Sequence, residues 1–175
     1  MKGKERVAAI DASAPRLTRR LPEVPHNVVA LMRLMRAANQ SLTSFLQMAL
    51  RQTGFGESAL HTLFVIYSSE SGTAAPGMLC ELVGETKSNM TRILATLIER
   101  RLLVRESDDL DGRRQRISMT PDGHQFVQSV IPVISGPLSL STQGLHVSDL
   151  RTLDQLLRRW VSSLDTGEQQ LRALL

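Results

Sequence analysis

The chain has 175 residues, 42% of them hydrophobic and 22% charged, which is ordinary for one soluble globular domain. No segment approaches the run of about 20 apolar residues that a membrane-spanning helix needs, and the N-terminus lacks the apolar core of a secretory signal. Cys80 is the one cysteine, so an internal disulfide is excluded and the cytoplasm is the expected compartment.

Positive charge is concentrated in two segments of the chain. The net charge is +4. Residues 1–25 carry six Lys/Arg against three Asp/Glu, and residues 86–116 carry eight against five, so each segment has a net charge of +3. The remaining residues have a net charge of −2. Charge segregated in this way favours a polyanionic partner such as a nucleic acid.

An irregular arm and then a long helix are predicted at the N-terminus. Residues 1–25 contain three prolines and little periodicity, which indicates a basic, flexible arm. A helix is predicted over residues 26–52, because apolar residues recur at alternating intervals of three and four before the sequence TGFG. This apolar stripe is formed by Val28, Leu31, Met35, Ala38, Leu42, Phe45 and Ala49. It can pack inside one chain or between two.

Two short helices are predicted next. The first spans residues 57–69 and is followed by the loop sequence SESGTAAPG. Pro76 opens the second, since proline fits the first turn of a helix. Three apolar residues of this second helix are expected to face inward: Met78, Leu79 and Leu82.

A turn, a further helix and a β-hairpin follow. Gly84 makes the turn, and Thr86 is a good N-cap for a helix that runs to about Arg100. The sequences LLVRE and RRQRISMT then predict two short strands joined by a polar loop.

The C-terminal part is predicted to hold two helices. The first begins at the sequence TPD, where Thr120 is the cap; Pro132 is expected to kink it and Gly136-Pro137 to end or redirect it. Ser148 caps the last helix, which is expected to break at residues 165–167. A second heptad-spaced stripe lies on this helix, at Leu150, Leu153, Leu157, Trp160 and Leu164.

The helix that begins after Thr86 has an apolar face and a polar, cationic face. The apolar face has the spacing of a core-facing helix and comprises Met90, Ile93, Leu94, Leu97 and Ile98. Opposite or flanking positions hold Ser88, Asn89, Thr91, Arg92, Ala95, Thr96 and Glu99. Small polar side chains and an arginine on an exposed helix can contact base edges and phosphates in a major groove. The alternative is an ordinary solvated helix face.

The short helix that Pro76 opens, the Gly84 turn and the helix after Thr86 make a helix-turn-helix, in which the helix after Thr86 is the recognition helix. A basic hairpin directly after a helix-turn-helix makes a winged helix, whose wing can place an arginine in the minor groove. Residues 79–123 resemble the core of the MarR family (multiple antibiotic resistance regulators) without a gap. The matching positions are Leu79-Cys80 for the family's Leu-Ala, the Gly84 turn, the Thr86 cap, Thr91-Arg92, the wing acids and arginine Asp108, Asp111 and Arg113, and Met119-Thr120-Pro121-Asp122-Gly123 for Leu-Thr-x-x-Gly.

The resemblance implies a mainly α fold with a small β-hairpin wing. A winged helix-turn-helix lobe over residues 57–120 would lie between dimerisation helices over 26–52 and 121–175, in one domain that spans 26–175. The implied function is a homodimeric, sequence-specific transcription regulator that binds a pseudo-palindromic DNA operator as a repressor and is released by a small aromatic acid or phenol.

The predicted DNA contacts lie on the recognition helix and the wing. Major-groove contacts are expected from the helix, phosphate contacts from its cations, from the strands and from the arm, and the resemblance implies that Asp111 orients Arg113 in the minor groove. The full set is Thr86, Lys87, Ser88, Asn89, Thr91, Arg92, Arg105, Asp111, Arg113 and Arg114.

Two positions depart from the family pattern. Leu110 replaces the first wing arginine, so that contact is absent or moved, for example to Arg114 or Arg116. Arg101 replaces the glycine that usually ends the recognition helix. The left-handed cap there is expected to be strained or replaced, because a non-glycine residue rarely adopts a positive φ.

The resemblance also implies an effector pocket between the dimerisation helices and the lobe. Its candidate residues are Arg33, Arg36, Ser41 and His61. His61 is more readily expected to fill the base of the DNA-binding lobe or to form a hydrogen bond there. Cys80 is expected to be a packed structural thiol, with redox sensing as the alternative.

Neither an enzyme nor a metal or cofactor site is expected, because the chain shows no catalytic grouping, ligand cluster or phosphate loop. The remaining alternative is a winged module that binds protein instead of DNA.

Overall fold

The computed structural model describes residues 2–107 and 115–175. The chain forms two compact units, one up to Ser141 and one from Thr142 on. The helices of the first unit are α1 (Gly3–Arg20), α2 (His26–Ala49), α3 (Glu57–Tyr67), α4 (Pro76–Val83), α5 (Lys87–Glu99) and α6 (Pro121–Leu140), with a 3₁₀ turn at Arg51–Thr53. Its strands are β1 (Thr73–Ala74), β2 (Leu103–Ser107) and β3 (Gln115–Met119). The second unit holds α7 (Val147–Leu174).

The N-terminal segment is a helix, so the prediction of an irregular, flexible arm over residues 1–25 is wrong for residues 3–20. Pro15 lies inside α1, where a proline usually costs about 3 kcal/mol. Packing offsets this cost, since Ile10 of α1 and Ala37 of α2 are both buried. The guanidinium of Arg33 also donates to the Ser13 hydroxyl at 2.7 Å. These stabilising contacts come from α2, which local periodicity does not reveal.

α1 and α2 form an antiparallel helical hairpin. Ser13, in the second half of α1, bonds to Arg33 in the first half of α2. Gly3, at the other end of α1, lies against Ser41, whose Oγ is 3.0 Å from where a Cβ on Gly3 would stand. The hairpin therefore covers the α2 face that contains Ala37, while the heptad-spaced stripe lies elsewhere on the helix.

Much of the predicted apolar stripe on α2 faces solvent. Val28, Leu31 and Leu42 are 39%, 44% and 48% exposed, whereas Met35, Phe45 and Ala49 are half-buried. The helix ends at Ala49, three residues before the predicted end, and Gly54 with φ +74° closes the following turn. The stripe thus remains an apolar surface on the first unit.

The core lies where α3, α4, α5 and α6 pack around the small sheet. Each large apolar side chain taken out of water contributes about 1.5–3 kcal/mol. The most deeply buried apolar side chains are Leu60, Leu63, Ile66, Leu79, Met90, Leu94, Leu97, Leu103 and Ile117. The expected burial of Leu79 is confirmed, whereas that of Met78 and Leu82 is wrong: they are 52% and 53% exposed, on the part of α4 that is turned away from the core.

The sheet has three antiparallel strands in the order β1-β3-β2. The predicted hairpin is β2 with β3, and its register pairs Leu103 with Met119 and Ser107 with Gln115. β1 lies in the segment for which a loop is predicted, since two residues carry no periodic signal. It forms because Thr73 and Ala74 pair with Ser118 and Ile117.

α6 continues through its two internal prolines, Pro132 and Pro137, to Leu140, so the expectation that Gly136-Pro137 ends the helix is wrong. Val130 and Ile134, on either side of Pro132, are buried and hold the helix on the core. Pro132 itself is exposed, so water can satisfy the carbonyl that loses its amide partner there.

α7 begins one residue before Ser148 and is capped at His146, whose amide donates to the Asp149 carboxylate at 2.8 Å. It also runs through the predicted break at 165–167. A mid-helix glycine costs only about 1 kcal/mol, and no proline interrupts this helix. Its ion pairs, Arg158–Asp154 and Arg172–Glu168, have the i, i+4 spacing that supports a helix. No helix in the described part of the chain is both long and apolar enough to span a membrane.

Candidate nucleic-acid interface

α4, the Gly84 turn and α5 form the predicted helix-turn-helix. Gly84 has φ +74°, a conformation that favours glycine, and the amides of Gly84 and Glu85 both donate to the carbonyl oxygen of Cys80. The Thr86 hydroxyl accepts from the amide of Asn89 at 3.2 Å, which confirms it as the N-cap of α5. The turn therefore sets where α5 begins and which of its residues lie in its first turn.

The two faces of α5 are as predicted. Met90, Ile93, Leu94 and Leu97 are buried in the core. The polar face leaves seven residues exposed: Lys87, Ser88, Thr91, Arg92, Ala95, Thr96 and Glu99. Two hydroxyls on this face bond to their own helix, Thr91 to the carbonyl of Lys87 at 2.8 Å and Thr96 to that of Arg92 at 3.0 Å. Such a face offers cations, amides and hydroxyls to a groove.

A chain of side-chain hydrogen bonds crosses from α3 to this face. The Glu85 carboxylate accepts from the Ser58 hydroxyl of α3 and, at 2.6 Å, from Nδ2 of Asn89. Oδ1 of Asn89 accepts from Nη2 of Arg92 at 2.8 Å. Asn89 is half-buried and Arg92 is exposed, so the chain ends at the accessible surface.

These contacts stabilise the charged form of Glu85. The hydrogen bond from Ser58, then that from Asn89, and the nearby positive charge of Arg92 hold the pKa of the carboxyl below its ordinary value. Glu85 is therefore ionised at neutral pH and acts only as an acceptor. No spacing pattern in the sequence predicts the contact between Ser58 and Glu85, because 27 positions separate them.

The recognition helix ends with Arg101 in a left-handed conformation, φ +58°. Leu102 donates to the carbonyl of Leu97 and Arg101 to that of Ile98, the two bonds of a Schellman cap. The left-handed cap is therefore not replaced; it is kept, and it is strained because Arg101 is not a glycine. Thr120 supports it, since its hydroxyl donates to the Arg101 carbonyl at 2.6 Å.

Only the strands of the wing belong to the described residues. Arg105 is exposed on β2, and Arg116 of β3 lies opposite Glu106. The Ser118 hydroxyl donates to the Glu106 carboxylate at 2.6 Å. The wing-tip positions fall outside the described residues: Asp108, Leu110, Asp111, Arg113 and Arg114.

The structure does not bring the four candidate effector residues together. Arg33 and Arg36 line a cavity of about 280 Å³ between α1 and α2 with Arg6, and Ser41 faces α1 at Gly3. His61 lies on α3, is exposed and does not line that cavity. Its expected place at the base of the lobe is wrong, because its neighbours Thr62 and Leu63 take the buried positions.

Cys80 is half-buried and packs against the core cluster, as a structural thiol would. Among the described residues, no three His, Cys, Asp or Glu side chains are grouped to hold a metal.

Most of the lobe matches the sequence model of a known protein family. The sequence model of the MarR family matches residues 53–114, which extend from the end of the 3₁₀ turn through α3, β1, α4, α5 and β2. These residues of the lobe therefore resemble the MarR family. Members of this family are DNA-binding transcription regulators with a winged helix, which agrees with the mainly helical fold and small antiparallel sheet.

A curated relative and two solved structures extend the match beyond the lobe. The transcriptional repressor MprA of Escherichia coli (strain K12) is 27% identical over 147 residues, 84% of each chain. A cysteine-to-serine variant of E. coli MarR complexed with operator DNA has a TM-score of 0.67 and 19% identity, covering 82% of this chain and 96% of the other. BpsR of Bordetella bronchiseptica, whose DNA binding is regulated by 6-hydroxynicotinic acid, has a TM-score of 0.65 and 19% identity over 73% and 90%. The two structures show a shared fold.

Proposed function

We propose that this chain is a MarR-family regulator and that it binds a specific DNA operator through the polar face of α5. The single observation that carries the proposal is that face itself: a capped helix, anchored by four buried apolar residues, presents Lys87, Ser88 and Arg92 to solvent beside Asn89. No buried role competes for these side chains. A helix of this kind places the N-terminal residues of its exposed face in the major groove.

The proposed contacts divide by chemistry. Ser88, Asn89, Thr91 and Arg92 contact base edges, because amide, hydroxyl and guanidinium groups match the donors and acceptors of the major groove. Phosphate contacts come from cations and from the start of the helix, at Thr86, Lys87, Arg105 and Arg114. Asp111 and Arg113 are proposed for the minor groove by family resemblance.

A homodimer is the proposed assembly. The exposed stripe of α2 adjoins an apolar groove lined by Phe45 and Met48 of α2 and by Val133 and Leu140 of α6. Burying such a surface against a second copy removes it from water. The stripe on α7 has the same heptad spacing. Twofold symmetry would place two copies of α5 about 34 Å apart on a pseudo-palindromic operator.

Repression relieved by a small aromatic acid or phenol is the proposed mode of regulation. Support comes from MprA, which is a transcriptional repressor, and from BpsR, whose DNA binding responds to 6-hydroxynicotinic acid. Arg33 and Arg36 are the candidate carboxylate contacts. Release requires that the ligand bind better to a form that does not fit DNA. A regulator of this kind works beside the chromosome, in the cytoplasm.

Selection of bound duplexes from a random library tests this function. The expected product is one enriched sequence with two related half-sites whose centres lie about 10 base pairs apart. Repeating the selection with benzoate or phenol is expected to reduce recovery of that sequence. Recovery of unrelated duplexes would instead support the protein-binding module.

A further inference from the structure

Glu85 determines which way the Asn89 amide faces. An ionised carboxylate can only accept hydrogen bonds, so only the Nδ2 end of Asn89 can face it. The guanidinium of Arg92 can only donate, so only Oδ1 can face it. The two neighbours thus select the same one of the two amide orientations, which differ by a rotation of 180°.

That orientation matters for reading a base. Asparagine recognises adenine with both ends of its amide, accepting from N6 and donating to N7. In the structure one Nδ2 hydrogen bonds to Glu85 and Arg92 uses one Oδ1 lone pair. One hydrogen and one lone pair of the amide remain for a base. An amide free to rotate would spend part of its time with its donor and acceptor exchanged.

Glu85 is itself fixed from outside the recognition helix. The Ser58 hydroxyl, near the start of α3, donates to the carboxylate oxygen that Asn89 does not use. Ser58 belongs to α3, and three residues that follow it in this helix, Leu60, Thr62 and Leu63, are buried. The orientation of the Asn89 amide is therefore held by α3, which packs in the core of the lobe, as well as by α5.

We propose that Glu85 is a positioning residue that sets base specificity through Asn89, with Ser58 holding it in place. This inference rests on the proposed function, because it concerns the contact that Asn89 makes with the operator. Glu85 acts without touching DNA, so its loss changes which base is preferred at one position and leaves the other positions unchanged.

The test compares Glu85→Ala with Glu81→Ala on a duplex selected by the wild-type protein. Both variants lose one carboxylate from the helix-turn-helix, but Glu81 is exposed on α4, and Ser58 and Asn89 donate to the carboxylate of Glu85. The measurement is the ratio of affinities for the selected duplex and for duplexes changed at single base pairs. In Glu85→Ala this affinity ratio is expected to fall about tenfold at one base pair of each half-site, which is the scale of one bidentate contact. Glu81→Ala is expected to keep it.

A double-mutant cycle with Asn89→Ala shows whether Glu85 acts through Asn89. The loss caused by Glu85→Ala is expected to disappear in the Asn89→Ala background, because residues that act as one unit are not additive. Ser58→Ala is expected to cause a smaller loss at the same base pair, and it serves as the second variant should Glu85→Ala fold poorly. Full additivity, or an unchanged ratio in both Glu85→Ala and Ser58→Ala, overturns the inference. A wild-type protein with no sequence preference overturns the proposed function itself.

Discussion

Gly123 lies so close to Leu102 that a Cβ built on Gly123 would stand 2.1 Å from the Leu102 carbonyl oxygen. The same carbonyl accepts from the amide and the hydroxyl of Thr120, which caps α6. The end of the recognition helix, the start of β2 and the start of α6 therefore meet at one backbone junction. A side chain at position 123 would separate them.

Gly123→Ala is expected to lower the free energy of unfolding by about 1–3 kcal/mol, the usual cost of forcing a group into a packed site. Urea unfolding followed by circular dichroism measures it. Gly167→Ala in α7 is the matched helical control, because apart from its chain neighbours nothing lies within 4 Å of its added Cβ and no proline follows it. The control is expected to gain about 0.5–1 kcal/mol from the better helix former. Equal effects of the two substitutions would contradict the close approach.

Arg101→Gly is expected to stabilise the fold. A left-handed conformation costs an L-residue about 1–2 kcal/mol, and glycine returns part of this through its freedom in the unfolded chain, so the net gain is about 0.5–1 kcal/mol. Arg100→Gly removes the same charge at φ −77°, where glycine relieves no strain, and is expected to destabilise. Thermal unfolding of both variants checks this. A loss of stability in Arg101→Gly would show that the arginine side chain matters more than the backbone strain.

Local sequence patterns predict the caps of this fold but not the contacts between residues that are distant in the chain. Thr86 and Thr120 were predicted as caps because a cap is local and has a distinctive residue type. The helix α1 was missed because Pro15 argues against it locally, and Ile10 is buried only through contact with α2. The bond from Ser58 to Glu85 joins residues far apart in the chain, so no spacing rule could reveal it.

Lys87 and Arg92 are expected to affect DNA binding differently. Lys87→Ala should weaken binding to all duplexes alike and reduce the slope of log K against log salt by about 0.9 for each copy bound, as for a lost phosphate contact. Arg92→Ala should cost about 1–3 kcal/mol on the selected duplex and relax the preference at one base pair. Fluorescence anisotropy over a range of salt concentrations measures both quantities. Parallel behaviour of the two variants would contradict the division into phosphate and base contacts.

The contribution of Glu85 to stability is expected to depend on pH. Its pKa is lowered in the folded state, first by Ser58 and then by Asn89, so it stabilises the fold fully above the unfolded value of about 4.3. That contribution is lost as the pH falls through the folded pKa. The difference in unfolding free energy between wild type and Glu85→Ala should be constant from pH 8 to 6 and shrink below about pH 4. A difference that persists unchanged to pH 3 would mean that the carboxylate's hydrogen bonds are not its source.

Competition binding at fixed salt measures sequence-specific recognition by α5 most directly. The labelled duplex is the sequence recovered by selection, and the competitor is either the same duplex unlabelled or one with its half-sites scrambled. The wild-type protein is expected to prefer the selected duplex by at least about 10³-fold, the lower end for specific DNA-binding proteins. Substituting Asn89 and Arg92 together by alanine should remove most of that preference while salt-dependent binding remains. Equal affinity of the wild-type protein for the two competitors would contradict the proposed function.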